Sequence, residues 1–149
     1  MKMYPIVKGH FLWVMLNPST ADASKDDPTM RRVIYFTQRF NGTSLSVVNL
    51  FDYRTTVSAG LASATVALQS EFWRSYVVQA IETCDTLVFA WGSAAPKAIH
   101  HQTIDAQREV IAIATIAKKQ TSCLAINGNG APAHPLYQPK TAKIQSFEC

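Results

Sequence analysis

Side chains that can donate and accept hydrogen bonds follow the apolar runs of this sequence at the points where those runs stop. Asn17 comes directly after the six apolar residues 11–16, and Asn49 stands near the end of the apolar segment 44–50. A carboxamide donates and accepts side by side, so it matches the amide edge of a nucleobase, and it can also cap a loop. His134, close to two prolines, can donate a hydrogen bond to a developing anion or be an ordinary loop histidine.

Aromatic and basic residues lie near these positions along the chain. Phe51 and Tyr53 follow Asn49, where they can stack on a planar ligand or belong to an ordinary core. Arg31 and Arg32 follow the first polar loop. One of these arginines can reach back to that loop, to pair with one of its aspartates or to bind a phosphate.

Hydrophobic patterning predicts the elements that position these residues. Apolar runs without polar alternation are typical of strands buried on both faces of a sheet, and apolar residues at helical spacing lie between them. The predicted strands are residues 11–16, 44–50, 86–91 and 122–127. The predicted helices are residues 28–40, about 70–83 and about 96–118. Asp27-Pro28 predicts the start of the first helix and Asn41-Gly42 its end. The buried face predicted for the second consists of Phe72, Val77, Ala80 and Ile81, with Trp73 and Tyr76 on or near it.

This alternation predicts a single α/β domain over residues 1–149, a three-layer α/β/α sandwich with a four-stranded, mainly parallel sheet. All four predicted strands end in a polar turn. In a parallel sheet those ends share one edge, and open α/β sheets bind ligands there. We therefore expect one pocket at the strand ends.

Composition and missing motifs disfavour several classes of protein. The three cysteines are few and widely spaced, which disfavours a disulfide framework and a four-cysteine metal site. We expect neither a metal nor a cofactor. No apolar run approaches the ~20 residues that cross a bilayer, and the first residues lack a signal-peptide core, which favours a cytoplasmic protein without a membrane partner. The phosphate-binding loop, the dinucleotide glycine fingerprint, GxSxG and HExxH are all missing from the sequence. A net charge of +4 permits an anionic partner.

Four motifs in order, LNPST, VVNLF, FAWGSAA and HPLY, resemble the uracil-DNA glycosylase superfamily. Glycosylases of that group carry a strand ending in G-x-N-P-G or G-x-D-P-Y, then a strand ending in Asn, an apolar strand ending in W-G and an H-P-S loop. The resemblance covers the chain from about Phe11 to Tyr137. The fuller pattern LNPSTAD, DPTxRR, NLFDYR, AWG and HPLY is similar, and more closely so, to an uncharacterised bacterial and phage family of unknown function.

The superfamily resemblance implies a uracil-DNA glycosylase-like fold and a role for three residues. Asn17 matches the Asn that positions the attacking water in the mismatch-type glycosylases. Asn49 matches the Asn that reads the base, and His134 matches the loop histidine that hydrogen-bonds the departing base.

Other positions match the superfamily only in part. Pro18 and Ser19 continue the first motif and are expected to line the substrate site, although Ser19 replaces a Gly or Tyr. Leu136 lies near the place where the superfamily inserts a wedge into the duplex. HPLY lacks the phosphate-gripping serine of H-P-S, and no Asp general base is matched.

The expected function is therefore a nucleobase N-glycosidase, which hydrolyses the bond between a damaged or modified base and its sugar in DNA repair or modification. The alternatives are a non-catalytic binding module for a nucleobase, nucleotide or nucleotide second messenger, and a hydrolase of free nucleosides or nucleotide derivatives. In each case the partner is DNA or a nucleotide-like small molecule. The sequence does not indicate an oligomeric state.

Overall fold

A five-stranded sheet with the strand order β2-β1-β3-β4-β5 forms the centre of the protein. The structure is a computed structural model and describes residues 9–17, 27–52 and 68–148. The strands are β1 His10–Met15, β2 Ser44–Asn49, β3 Thr86–Phe89, β4 Thr121–Cys123 and β5 Gln145–Ser146. The helices are α1 Pro28–Arg39, α2 Trp73–Thr83 and α3 His100–Ile116, with 3-10 helices at Lys97–Ile99 and Pro135–Tyr137.

The first four strands are parallel, and β5 pairs antiparallel with β4. The prediction of an α/β fold with a mainly parallel sheet is thus confirmed, whereas the expected count of four strands is wrong. The fifth strand, Gln145–Ser146, is two residues long. So short a segment carries no periodicity from which a strand can be predicted.

Strand β1 is buried on both faces, as its unbroken apolar run predicts. Every residue from Phe11 to Leu16 is at most 7% exposed. Leu12 and Val14 point toward α2 and α3, and Phe11 and Trp13 point toward α1. Helices therefore cover the sheet on its two faces, because successive side chains of a strand alternate between them.

Helix α1 begins and ends at the residues that the sequence indicates. Asp27 Oδ1 accepts hydrogen bonds from two main-chain amides of the first turn, at 3.0 and 3.2 Å, and Pro28 follows it. At the other end Asn41 has a φ of 64°, and the Gly42 N–H donates to the Thr37 carbonyl over 2.8 Å. This left-handed residue with its returning bond satisfies carbonyls that the helix leaves open, and it stops the helix.

Helix α2 buries part of the face that its apolar residues predict. Trp73, Val77 and Ile81, four residues apart, are buried against the sheet. Phe72 and Tyr76 are 68% and 64% exposed, although the sequence places both on or near the buried face. Each precedes a buried residue by one position, a rotation of about 100° around the helix, which turns its ring outward.

The chain after the second 3-10 helix is fastened to α1. Arg32 Nη1 donates to the Gln138 carbonyl and Tyr35 Oη to the Lys140 carbonyl, each over 2.9 Å. Arg39 donates to the Ala142 and Thr141 carbonyls. The three side chains lie three and four residues apart, on one side of α1. Within the described ranges, no helix has the length and apolar character needed to cross a membrane.

Gly42 provides a test of this packing, because it lies where α1 ends against β1. A Cβ built on Gly42 would approach Thr37 Cγ2 to 2.6 Å and Phe11 Cδ1 to 2.8 Å. We expect Gly42→Ala to lower the free energy of unfolding by about 1–3 kcal/mol, since both neighbours must shift. The matched control is Gly128→Ala, where a Cβ meets nothing within 4 Å. Urea denaturation should leave the control within about 0.5 kcal/mol of the parent, and equal midpoints for the two variants would contradict the packing.

Candidate functional site

The strand order predicts a crevice at the carboxyl edge of the sheet. After β1 the chain forms β2 on one side of it, and it then crosses to form β3 on the other side. The connections therefore leave β1 and β3 in opposite directions. Open α/β sheets bind ligands at such a reversal, outside the carboxyl ends of the two strands.

Two of the predicted side chains emerge at this edge from neighbouring strands. Asn49 lies opposite Met15 in the register of β1 and β2. The pairing continues beyond the strands, because the Phe51 N–H donates to the Leu16 carbonyl over 3.0 Å. Asn17 follows Leu16 directly, and both asparagines are partly exposed. The structure thus brings Asn17 and Asn49 to adjacent strand ends.

The main chain of Asn49 is held at this edge by a hydrogen bond from α2. The Asn49 carbonyl accepts a hydrogen bond from the indole Nε1 of Trp73 over 2.7 Å. Because paired residues share a face, Asn49 lies on the α1 face together with Met15. Among the described residues, none forms a hydrogen bond with the Asn49 carboxamide. A ligand at the edge can therefore use its donor and its acceptor.

His134 reaches the same edge through a hairpin that follows β4. In the hairpin, residues 125–133, the Ala133 N–H donates to the Ala125 carbonyl over 2.9 Å. The Gly92 N–H donates to the Pro132 carbonyl, also over 2.9 Å, so the hairpin docks on the end of β3. His134 comes next, and its Cβ lies 3.0 Å from the position that a Cβ of Gly92 would occupy. We call residues 134–137 the HPLY turn.

The HPLY turn fixes the tautomer of His134. The Leu136 main-chain N–H donates to His134 Nδ1 over 3.1 Å, so Nδ1 supplies the lone pair and the ring proton resides on Nε2. Burial lowers the pKa of His134 from its ordinary value, which favours the neutral form. The ring is therefore arranged to present one N–H donor from an uncharged imidazole.

A polar cluster fastens the loop after β3 to the hairpin. Ser93 Oγ donates to Asn129 Oδ1 over 3.1 Å and accepts from Asn127 Nδ2 over 2.8 Å. Sequence reasoning missed these three residues and Gly92. The glycine after an apolar strand was a visible signal, whereas nothing in the sequence pairs Ser93 with a hairpin more than thirty residues later.

The structure gives a role to two of the predicted contact residues. Phe51 was expected to stack on a planar ligand or to belong to an ordinary core, and its ring, 1% exposed, packs in the core beneath the edge. One of Arg31 and Arg32 was expected to reach back to the first loop, to pair with an aspartate there or to bind a phosphate. Arg32 Nη1 donates to the Gln138 carbonyl, one residue after the HPLY turn. Arg32 therefore holds the turn that carries His134.

The remaining predicted site residues are placed in part. Arg31 is exposed in the first turn of α1, and Leu136 is half-buried in the HPLY turn. Pro18, Ser19 and Tyr53 lie outside the described residues. The phosphate or nucleic-acid contacts of Arg31 and Leu136 stay predictions.

The carboxylate of Asp52, which follows β2, already accepts hydrogen bonds within the protein. Asp52 Oδ1 accepts from the Ser70 N–H over 2.7 Å, and Oδ2 accepts from Ser70 Oγ over 2.6 Å. Asp52 thus anchors the chain ahead of α2. Across the described residues, no group of three His, Cys, Asp or Glu side chains is arranged to hold a metal ion.

The comparison with protein families covers nearly all of this architecture. The model of the family described as "Protein of unknown function (DUF1643)" matches residues 6–136. The chain belongs to the DUF1643 family. The match includes the candidate positions from Asn17 to Leu136, and it agrees with the resemblance to a family of unknown function. No curated protein and no solved structure matches this DUF1643 protein, so the resemblance to the glycosylase superfamily stays a hypothesis.

The contact between Gly92 and His134 can be tested with a matched glycine. Gly92 and Gly130 have φ angles of 69° and 87°, but only at Gly92 would a Cβ meet another residue. We expect Gly92→Ala and Gly130→Ala each to cost about 1–2 kcal/mol of unfolding free energy in the DUF1643 protein, because alanine is strained at positive φ. NMR should show the His134 ring resonances displaced in Gly92→Ala alone. Displacement in both variants, or in neither, would contradict the contact.

The lowered pKa of His134 predicts a pH dependence of stability for the DUF1643 protein. At pH values below the ordinary histidine pKa of about 6.5, the unfolded chain binds a proton that the folded state resists. The free energy of unfolding should therefore fall as the pH drops from about 7 toward 5, levelling off below the folded pKa. His134→Gln should make this slope shallower in urea titrations at a series of pH values.

The control for this titration is Tyr137→Phe, which keeps the imidazole and changes the same turn. Its slope should equal that of the parent protein. An unchanged slope in His134→Gln would show that His134 does not resist protonation in the folded state.

Proposed function

We propose that this DUF1643 protein is a nucleobase N-glycosidase that hydrolyses the bond between a damaged or modified base and its sugar in DNA. The observation that carries the proposal is His134, held as a neutral Nε2–H donor at the strand-end crevice. Asn17 and Asn49 at adjacent strand ends support it. The resemblance of the four motifs to the uracil-DNA glycosylase superfamily supplies the reaction.

Cleavage of a glycosidic bond needs a group that stabilises the departing nucleobase more than it needs a strong general base to activate water. The sugar passes through an oxocarbenium-like state while negative charge develops on the departing base. A donor that is already oriented toward that charge contributes about 3 kcal/mol, or roughly a hundredfold in rate. In the proposed reaction His134 Nε2–H supplies this hydrogen bond and keeps its proton.

The two asparagines divide the remaining tasks in this proposal. Asn17 orients the attacking water toward the sugar carbon, but a carboxamide cannot remove its proton. The reaction then depends on a nucleobase that is a good leaving group. Asn49 reads the edge of the base, because its carboxamide offers a donor and an acceptor and has no hydrogen-bond partner among the described residues.

The proposal includes a uracil-DNA glycosylase-like arrangement of the fold and a flipped base. In support, the second, third and fourth motifs lie at the ends of β2 and β3 and after β4, as the resemblance implies. Turning a base out of a duplex costs a few kcal/mol, least where the base is mismatched or damaged. The net charge of +4 favours association with the DNA backbone.

Asp52 favours a second candidate function, a non-catalytic binding module for a nucleobase, nucleotide or nucleotide second messenger. Both of its carboxylate oxygens are bonded to Ser70, so this acid is not poised to activate water. The two candidates differ in their response to solution conditions. DNA binding weakens steeply with salt because phosphate contacts release counterions, whereas a small ligand raises the melting temperature and leaves oligonucleotides unbound.

The deciding assay is strand cleavage after alkali, on labelled oligonucleotides that carry uracil, hypoxanthine, mismatched thymine or hypermodified pyrimidines, single- and double-stranded. We expect one substrate to be cleaved. Asn17→Ala should abolish turnover while oligonucleotide binding persists, and His134→Ala should reduce the rate about a hundredfold. His101→Ala, on the exposed side of α3, is the matched control and should retain the parent rate.

Two results would contradict the glycosidase. One is a folded protein that cleaves none of these substrates but gains thermal stability from a nucleotide, which favours the binding module. The other is an Asn17→Ala variant that loses binding and turnover to the same extent, since that residue would then be part of a binding pocket alone.

A further inference from the structure

The three tryptophans of the chain differ in the hydrogen bonding of their indole N–H groups. Trp13 Nε1 donates to Thr37 Oγ1 over 2.9 Å, and Trp73 Nε1 donates to the Asn49 carbonyl over 2.7 Å. The side chain of Trp91 is 3% exposed, and its Nε1 has no acceptor in the described part of the chain. Buried donors are almost always paired, so this one needs a partner that the described residues do not supply.

Trp91 stands at the crevice itself. It follows β3 at the reversal of strand order, and the next residue is Gly92, on which His134 packs. The rings of Phe89 and Phe147 lie 4.8 and 6.3 Å from the indole, centroid to centroid, and hold it in place. These contacts restrain the ring, and the indole nitrogen itself is buried.

The faces of the sheet separate Trp91 from the other candidate groups. Trp91 shares the α2/α3 face with Phe89, whereas Asn49 lies on the α1 face with Met15. Strand β1, which ends at Met15, lies between β3 and β2 and separates the two groups. A ligand seated over this strand end can accept a hydrogen bond from the α2/α3 side and contact Asn49 on the other.

We propose that the indole N–H of Trp91 is a binding group for the ligand, donating to a carbonyl oxygen or unprotonated ring nitrogen of a nucleobase in the crevice. The inference rests on the proposed function for the kind of ligand. It adds a specificity: an indole nitrogen donates and never accepts. A base that presents an amino group toward β3 gains nothing from Trp91, and a base with an acceptor there is selected.

Trp91→Phe tests this directly, because it removes the N–H and keeps an aromatic ring. Removing a donor that is unpaired in the free protein leaves no acceptor unsatisfied, so only the smaller ring costs stability. The melting temperature should therefore fall less than in Trp13→Phe, which loses the same side-chain volume. Trp13→Phe is the matched control. It leaves Thr37 Oγ1 without its donor and should lower the melting temperature, as expected when one member of a buried pair is removed.

The indole resonances in a proton–nitrogen NMR spectrum give a readout that does not depend on activity. Single Trp→Phe variants assign the three signals. In the free protein the Trp91 proton should resonate upfield of the other two, as an unpaired N–H does. Titration with the free bases uracil, cytosine, adenine and hypoxanthine should move the Trp91 signal downfield for the bases that bind. Trp91→Phe should weaken their binding about tenfold, and Trp13→Phe should not.

The outcomes separate this inference from the proposed function when Asn49→Ala is titrated beside the other variants. If Asn49→Ala weakens binding and Trp91→Phe does not, the role of Trp91 is overturned while the nucleobase site stands. If the Trp91 signal is already downfield in the free protein and Trp91→Phe is destabilised like Trp13→Phe, the N–H is paired by buried water and the inference is also overturned. If none of the four bases binds, both proposals fall.

Discussion

The burial of one strand on both of its faces is the constraint on which the rest of the structure depends. Strand β1 pairs with β2 on one side and β3 on the other, and its residues from Phe11 to Leu16 are almost wholly excluded from water. A strand without a solvent face needs helices above and below it. It also has to end in a turn, and in this chain the turn begins with Asn17 at the crevice. The apolar run therefore determines the layers and the place of the site together.

Local patterns were sufficient to predict most of the elements. Apolar runs, interrupted by serines in β2, located the first four strands, and the Asp27-Pro28 and Asn41-Gly42 pairs located the ends of α1. These signals act within a few residues, so they can be read from the chain alone. The convergence of strand ends was predicted as well, because parallel pairing leaves no other arrangement for them.

The features that could not be predicted depend on contacts between distant parts of the chain. The two-residue strand β5 forms because β4 offers it an edge, and its own composition does not specify it. The exposed rings of Phe72 and Tyr76 reflect which side of α2 meets the sheet. The hydrogen bond from Arg32 to the Gln138 carbonyl could not be predicted, because its acceptor is a main-chain carbonyl. A carbonyl is present in every residue and leaves no signal in a sequence.

The attachment of residues 138–142 to α1 has a consequence for the order in which the protein assembles. Arg32 and Gln138 are 106 residues apart in the chain, and the HPLY turn lies directly before Gln138. Contacts between such distant residues form late in folding, because the entropy of closing the intervening loop must first be overcome. During synthesis the sheet edge with Asn17 and Asn49 can therefore exist before His134 is held. In the proposed site, His134 therefore joins the two asparagines only when residues 138–142 pack against α1.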